Sequence, residues 1–169
     1  MGKAANSSIS LKQIHVTDNF WNKYVHLVKD VIIPYQWDIL NDKLEDVETS
    51  HCIENFKIAA GEKEGEFQGA VFQDTDVAKW LEAVGFVLNY EKDEKLEALA
   101  DETIELIGRA QQPDGYLNTY FTIKEPDGRW SNLMEGHELY TAGHMIEAAV
   151  AYYEATGKRR FLEIVSKFA

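Results

Sequence analysis

The sequence predicts an all-α fold built from helical hairpins, and three observations carry that prediction. Apolar residues recur at spacings of three and four through most of the chain, the connections between periodic stretches are short, and a long hairpin repeats after 65 residues. Sliding the chain by that offset puts Glu82 on Glu147, Val84 on Ala149, Phe86 on Ala151, Leu96 on Phe161, Leu99 on Ile164 and Ala100 on Val165. Hairpins that each expose one apolar face must stack on neighbours, in an open solenoid or a closed toroid, and two hairpins complete neither. The last periodic stretch also reaches Ala169 without a capping residue. Together these features predict the N-terminal part of a longer protein, with residues 1–15 a tail and lead-in and residues 16–169 the start of a helical domain.

The elements follow in order. Ile9, Leu11, Ile14 and Val16 alternate loosely, which predicts a short strand or extended lead-in. Asp18 suits an N-cap, and Trp21, Tyr24, Val25, Val28, Val31, Ile32 and Tyr35 then form a helical stripe that Pro34 should kink or end. Between Asn41 and Gly69 no period is sustained, apart from a short helix over Cys52 to Ala60. Asp74 or Thr75 caps the next helix, whose buried side is Val77, Trp80, Leu81, Val84 and Leu88 and which ends near Asn89. Asp93 starts a third, with Leu96, Leu99, Ala100, Thr103, Leu106, Ile107 and Ala110 inward; the short connector makes Val77 to Gln111 an antiparallel hairpin. Pro113-Asp114-Gly115 and Pro126-Asp127-Gly128 are turns bounding a loop that runs to about Glu135. A fourth helix spans about Gly136 to Thr156, with Gly157 as its left-handed C-cap, and a fifth begins near Lys158 with Phe161, Ile164, Val165 and Phe168 inward.

Composition narrows the function. The chain has 169 residues and a net charge of −12, with 45% hydrophobic residues, enough to bury a sizeable core. The acidic balance speaks against nucleic acid or an anionic membrane as the main partner and favours a neutral or cationic ligand. A single cysteine, Cys52, excludes an internal disulfide and a Cys-rich zinc site. With no apolar export signal or membrane-length run visible, the cytoplasm is the default setting, and the glycosylation sequon at Asn6-Ser7-Ser8 has no consequence.

Several motifs invite chemistry. His137-Glu138-Leu139-Tyr140-Thr141 begins like a zinc protease motif, but Thr141 stands where the second histidine must be. His137 and His144 are seven residues apart, a rise of ~10.5 Å along a helix, so they cannot share one ion. His144 reads as a satisfied helix histidine among small residues. His137, at the start of its helix after a long loop, reads equally as a structural histidine or as a ligand contact at a pocket mouth. Gln111 to Tyr120 joins a tight turn to amides, a carboxylate and two aromatics. That mixture suits a sugar, whose C–H faces stack on rings while its hydroxyls bond amides and carboxylates. The competing reading is a turn in which Asp114 bonds its own backbone. Asp74 is similarly divided between helix cap and ligand contact, and Tyr116 is a further candidate for the same cleft wall. Cys52 beside His51 can be read as a thiol nucleophile with its base, but adjacent side chains on a helix diverge, which favours a buried structural cysteine. Gly157-Lys158-Arg159 lacks the remainder of a phosphate loop.

Pro34-Tyr35-Gln36-Trp37, Ile58-Ala59-Ala60-Gly61, Val71 to Glu82, Ala110 to Thr119, and His137-Glu138-Leu139-Tyr140 through Ala155-Thr156-Gly157 resemble glycoside hydrolase family 127 in the same order and with similar spacing. The resemblance runs from about Val16 to the last residue and covers only the beginning of that family's chain. It implies β-L-arabinofuranosidase activity and a catalytic (α/α)6 barrel followed by β-sandwich domains, with residues 16–169 as the incomplete N-terminal part of the barrel. It further implies a retaining mechanism with a zinc-bound cysteine thiolate as nucleophile and a glutamate as acid/base. No motif in this chain matches those residues, so no catalytic or metal residue carries over, and zinc is expected only in a longer parent. His137 alone carries over, as similar to a histidine that contacts the arabinofuranose. The chain by itself should then be inactive, bind an L-arabinofuranoside through cleft wall, and self-associate through exposed barrel faces. Two other readings stand beside this one: another α/α-toroid carbohydrate enzyme, such as an unsaturated uronyl hydrolase or sugar epimerase, and a non-enzymatic helical-repeat interaction module.

Overall fold

The computed structural model describes residues 9–168, and all regular structure among them is helical. Asn6-Ser7-Ser8 lies outside the described residues. The lead-in is not a strand: a single 3-10 turn, Leu11–Gln13, sits between extended residues Ser10 and Ile14. Loose alternation without a partner strand has nothing to pair its backbone with, so a local turn prevails.

Asp18 caps as expected, its carboxylate accepting the backbone N–H groups of Phe20 and Trp21 at 3.0 and 2.8 Å. The helix it starts does not end at Pro34. α1 (Trp21–Leu27) passes through one wide π turn (Val28–Ile32), where the Ile33 N–H bonds the Val28 carbonyl, into α2 (Ile33–Leu40). The wider turn before Pro34 makes room for its ring and accommodates the helix hydrogen bond that proline, lacking an N–H, cannot donate. The apolar stripe is largely exposed, Trp21 at 61% and Val31 at 54%, because the rod meets the core mainly through its α2 end, at Ile33 and Leu40. Trp37 stacks on Trp80 at 4.6 Å, and the Trp80 indole donates to the Ile33 carbonyl at 3.1 Å.

α3 (Cys52–Ala59) follows the irregular segment as predicted. Its buried Asn55 donates to the Gln68 carbonyl and accepts the Gln68 N–H, standing in for a backbone partner and pinning the 61–69 loop. α4 (Asp74–Tyr90) buries the whole predicted stripe, and α5 (Glu94–Ala110) starts at Asp93, whose carboxylate accepts from Lys95 N and Leu96 N. A short helix within the next loop, α6 (Thr119–Ile123), is capped by Asn118 and carries no periodicity long enough to read. α7 (Glu138–Thr156) ends at Gly157 with φ +76°, and α8 (Arg160–Phe168) buries Phe161, Ile164, Val165 and Phe168.

The most extensive helix packing joins α4 to α7, not α4 to its hairpin partner α5. A Cβ on Gly85 would meet the Ala151 backbone at 2.8 Å, so the two helices cross at close range. Phe72 meets His137 at one end and Glu82 meets Glu147 further along, so α4 and α7 run parallel. Both pairs are 65 residues apart, the offset of the sequence repeat. Equivalent positions of successive hairpins therefore face each other, with α5 and α8 packed together as the second layer. The fold is the stacked-hairpin arrangement that the repeat predicts.

Candidate functional site

Parallel packing brings the starts of α4 and α7 together at one end of the stack. His137 is the residue before α7, held in the left-handed region at φ +51° with its side chain making no capping bond. That leaves a half-buried imidazole without a capping role, edge-on to Phe72 at 5.2 Å and to Tyr140 at 5.9 Å. On the α2 side of the same helix starts lies a cleft of about 660 Å³, whose polar lining includes Gln36, Gln73, Asp76 and Lys79 over the indole of Trp80. The Gln73 amide donates to Asp76 at 2.8 Å while accepting the Ala70 N–H, which orients both side chains. Burial raises the Asp76 carboxyl above its ordinary value, and Lys79 opposes that rise. The Lys79 ammonium also lies 5.5 Å from the centre of the Tyr140 ring, linking the cleft rim to the His137 cluster. Amides, a carboxylate, an ammonium and aromatic edges on one concave surface can bond the hydroxyls of a neutral polyol and cover its C–H faces.

Two of the three residues placed on this wall by the sequence lie beneath it. Asp74 is 2% exposed and is not the helix cap; both its oxygens are taken by Thr119, one by the backbone N–H at 2.7 Å and one by the hydroxyl. Burial, opposed by those two bonds, pushes its carboxyl up to about 6. Tyr116 is also buried, its hydroxyl donating to Glu138 and its ring covered by the Arg129 guanidinium at 4.1 Å. Burial and the bond to Glu138 raise that phenol far above its ordinary value. The aromatic and amide mixture of residues 111–120 is used inward: the Gln111 amide donates to the Gly115 and Ile164 carbonyls, and Asp114 accepts the Tyr116 N–H in the self-bonded turn. At Gly115, with φ +91°, any Cβ would run into the Lys167 carbonyl, which leaves no room for a side chain.

Glu138 is the residue that sequence reasoning missed. Fully buried, it accepts the Tyr116 hydroxyl and, through both oxygens, the Trp130 N–H at 3.0 and 2.9 Å. It thereby ties the long loop to the start of α7, directly beside His137. Its only signal was an acidic residue at a helix start, which the helix dipole explains without burial. Gln73, Lys79 and Tyr140 were missed as well; the repeat offset that sets Phe72 beside His137 could have found them.

The thiolate-bound zinc that the family resemblance implies does not fit these residues. Cys52 is fully buried, its thiol donates to the Gln73 carbonyl at 3.3 Å, and burial with Asp74 nearby pushes its pKa well up, which is the reverse of an activated nucleophile. No helix among the described residues is long and apolar enough to cross a membrane.

Fold and site together define a helical-hairpin protein of the α/α type, with a polar, aromatic-rimmed cleft where parallel helices begin. A model of the family described as "Beta-L-arabinofuranosidase, GH127 catalytic domain" matches residues 13–169, and the chain belongs to this family. It is 42% identical to a non-reducing end β-L-arabinofuranosidase of Bifidobacterium longum subsp. longum, over 92% of this chain and 26% of that protein. It also matches the crystal structure of a GH127 β-L-arabinofuranosidase from Geobacillus stearothermophilus T6 with a TM-score of 0.90 and 64% identity, covering 91% of this chain and 24% of that one. A second solved structure, a GH127 β-arabinofuranosidase, matches with a TM-score of 0.85 and 36% identity over 95% of this chain and 26% of the other. The chain thus spans about a quarter of the length of these relatives.

Proposed function

We propose that these 169 residues are part of a glycosidase that acts on β-L-arabinofuranosides, and that they supply sugar-contacting wall and none of the bond-breaking groups. The observation that carries this reading is His137 itself. It is an unburdened imidazole in a left-handed backbone position, set between Phe72 and Tyr140 beside the polar cleft. An imidazole so placed can bond a sugar hydroxyl while the aromatic edges limit its rotation. Asp74 and Tyr116 act behind it: Asp74 fixes the start of α6, and Tyr116 with Glu138 fixes the start of α7. The parent is a longer chain in an (α/α)6 barrel, with its thiolate nucleophile, glutamate acid/base and zinc outside these residues. Exposed faces such as Leu139, Ile146, Val150 and Tyr153 of α7 pack on the remaining helices or, in the isolated chain, on a second copy. The single buried cysteine agrees with a cytoplasmic setting.

The coding DNA beyond the Ala169 codon tests this reading. A frame that continues for several hundred residues with a closely spaced cysteine cluster and an upstream glutamate supports it, provided that only the extended protein releases arabinose from an aryl β-L-arabinofuranoside. A stop codon directly after Ala169, or release of arabinose by the 169-residue chain alone, overturns it.

A further inference from the structure

We propose that Glu82 of α4 and His144 and Glu147 of α7 form a binding site for a divalent cation of the zinc class, on the seam between the two helices. One donor atom from each side chain lies within 4.8 Å of the others. The cluster is not a mere acidic patch. The Nδ1 atom of His144 is shut off from solvent and has no hydrogen-bond partner, and it sits 3.5 Å from a carboxylate oxygen of Glu147. Two ligands at about 2.1 Å from a tetrahedral ion are about 3.4 Å apart, so this pair already has the spacing of a shared ion. The Tyr140 ring stands edge-on to the imidazole at 4.6 Å and 90°, which holds the His144 ring in place. Among the described residues neither Glu82 nor Glu147 is paired with a lysine or arginine. Two carboxylates and an imidazole nitrogen without a hydrogen-bond partner therefore converge with no lysine or arginine among them.

The donor set selects the ion. One imidazole and two carboxylates suit zinc and its first-row neighbours, whereas calcium and magnesium take oxygen ligands. Three protein ligands leave a fourth position for water. The site contains no sulfur. It lies ~10.5 Å along α7 from His137, with the Tyr140 ring between the two imidazoles. Spacing along one helix excluded an ion shared by His137 and His144; the parallel partner α4 supplies the ligand that α7 alone lacks. An ion here would clamp α4 to α7 and stabilise the folded chain by mass action.

The test is cobalt titration of the chelator-treated 169-residue chain, followed by visible ligand-field absorption and reversed by zinc. One equivalent should saturate the signal, His144→Gln should weaken binding by at least about tenfold, and Glu82→Gln and Glu147→Gln should each weaken it similarly. His26→Gln, on exposed α1, should leave it unchanged. Should His144→Gln fail to fold, nitrogen-15 NMR of the unaltered chain gives the answer instead: zinc must shift the His144 ring resonances. Absence of a saturable signal, a signal that survives His144→Gln in a folded chain, or zinc shifts confined to other histidines would each overturn the proposal.

Discussion

Replacing Asp74 with Asn should make the chain relatively more stable as pH rises, although it removes a carboxylate that accepts two hydrogen bonds. The side chain is 2% exposed, and its carboxyl is raised from 3.8 to about 6, with burial as the largest cause. A raised carboxylate pKa means that the folded chain holds the proton more tightly than the unfolded chain. Stability from this group is therefore present at low pH and lost as pH climbs from 3.8 through about 6. Two pH units at about 1.4 kcal/mol each come to roughly 3 kcal/mol, of which about 2 kcal/mol falls between about pH 4.5 and about pH 7.5. Asn is neutral throughout and keeps a carbonyl for the Thr119 N–H, while the Thr119 hydroxyl can turn to accept from its amide. Urea unfolding of both chains at the two pH values, read by tryptophan fluorescence and far-UV circular dichroism, should show the stability difference moving by about 2 kcal/mol in favour of Asn at the higher pH. Thr119→Val, which deletes a donor that lowers this pKa, should steepen the pH dependence. Parallel curves for Asp74→Asn and the unaltered chain would refute the reasoning.

Other perturbations separate the remaining parts of the account. Glu138→Ala should cost about 2 to 4 kcal/mol in the same unfolding assay, because the Tyr116 hydroxyl and Trp130 N–H lose their acceptor. Glu138→Gln should cost less, since one oxygen remains, and an equal loss for the two variants would contradict the bonding described. Cys52 should not react with an aromatic disulfide reagent until the chain is unfolded by urea; rapid labelling of the folded chain would contradict its burial. In an enzyme extended to the length of its relatives, His137→Ala should lower kcat/KM by about tenfold with an unchanged circular dichroism spectrum, and unchanged kinetics would remove His137 from the sugar site.

The long helices were legible because each buries one face against another long helix, so the period of Val77 to Leu88 or of Phe161 to Phe168 reports packing directly. Gly157 and Asp93 were legible because caps are local chemistry. The rod from Trp21 to Leu40 was legible as a helix but not in its detail. Its stripe is apolar without being covered, and its passage through Pro34 depends on a π turn that no residue pattern announces. The site was the least legible part. Asp74 and Tyr116 have the right residue types for a sugar cleft, but their partners, Thr119 and Glu138, are 45 and 22 residues away. Only the folded chain shows that those partners turn both side chains inward. His137 was visible as a residue at a helix start, whereas its neighbours Phe72, Lys79 and Tyr140 become a group only through the parallel register of α4 and α7.

The central claim is that the starts of α4 and α7 form a sugar-contacting wall. An NMR titration of the 169-residue chain with methyl β-L-arabinofuranoside tests it most directly. Shifts should concentrate on His137, Tyr140, Phe72, Gln73 and Lys79, with methyl α-D-glucopyranoside producing little change. Shifts clustered elsewhere, or equal responses to the two sugars, would contradict it.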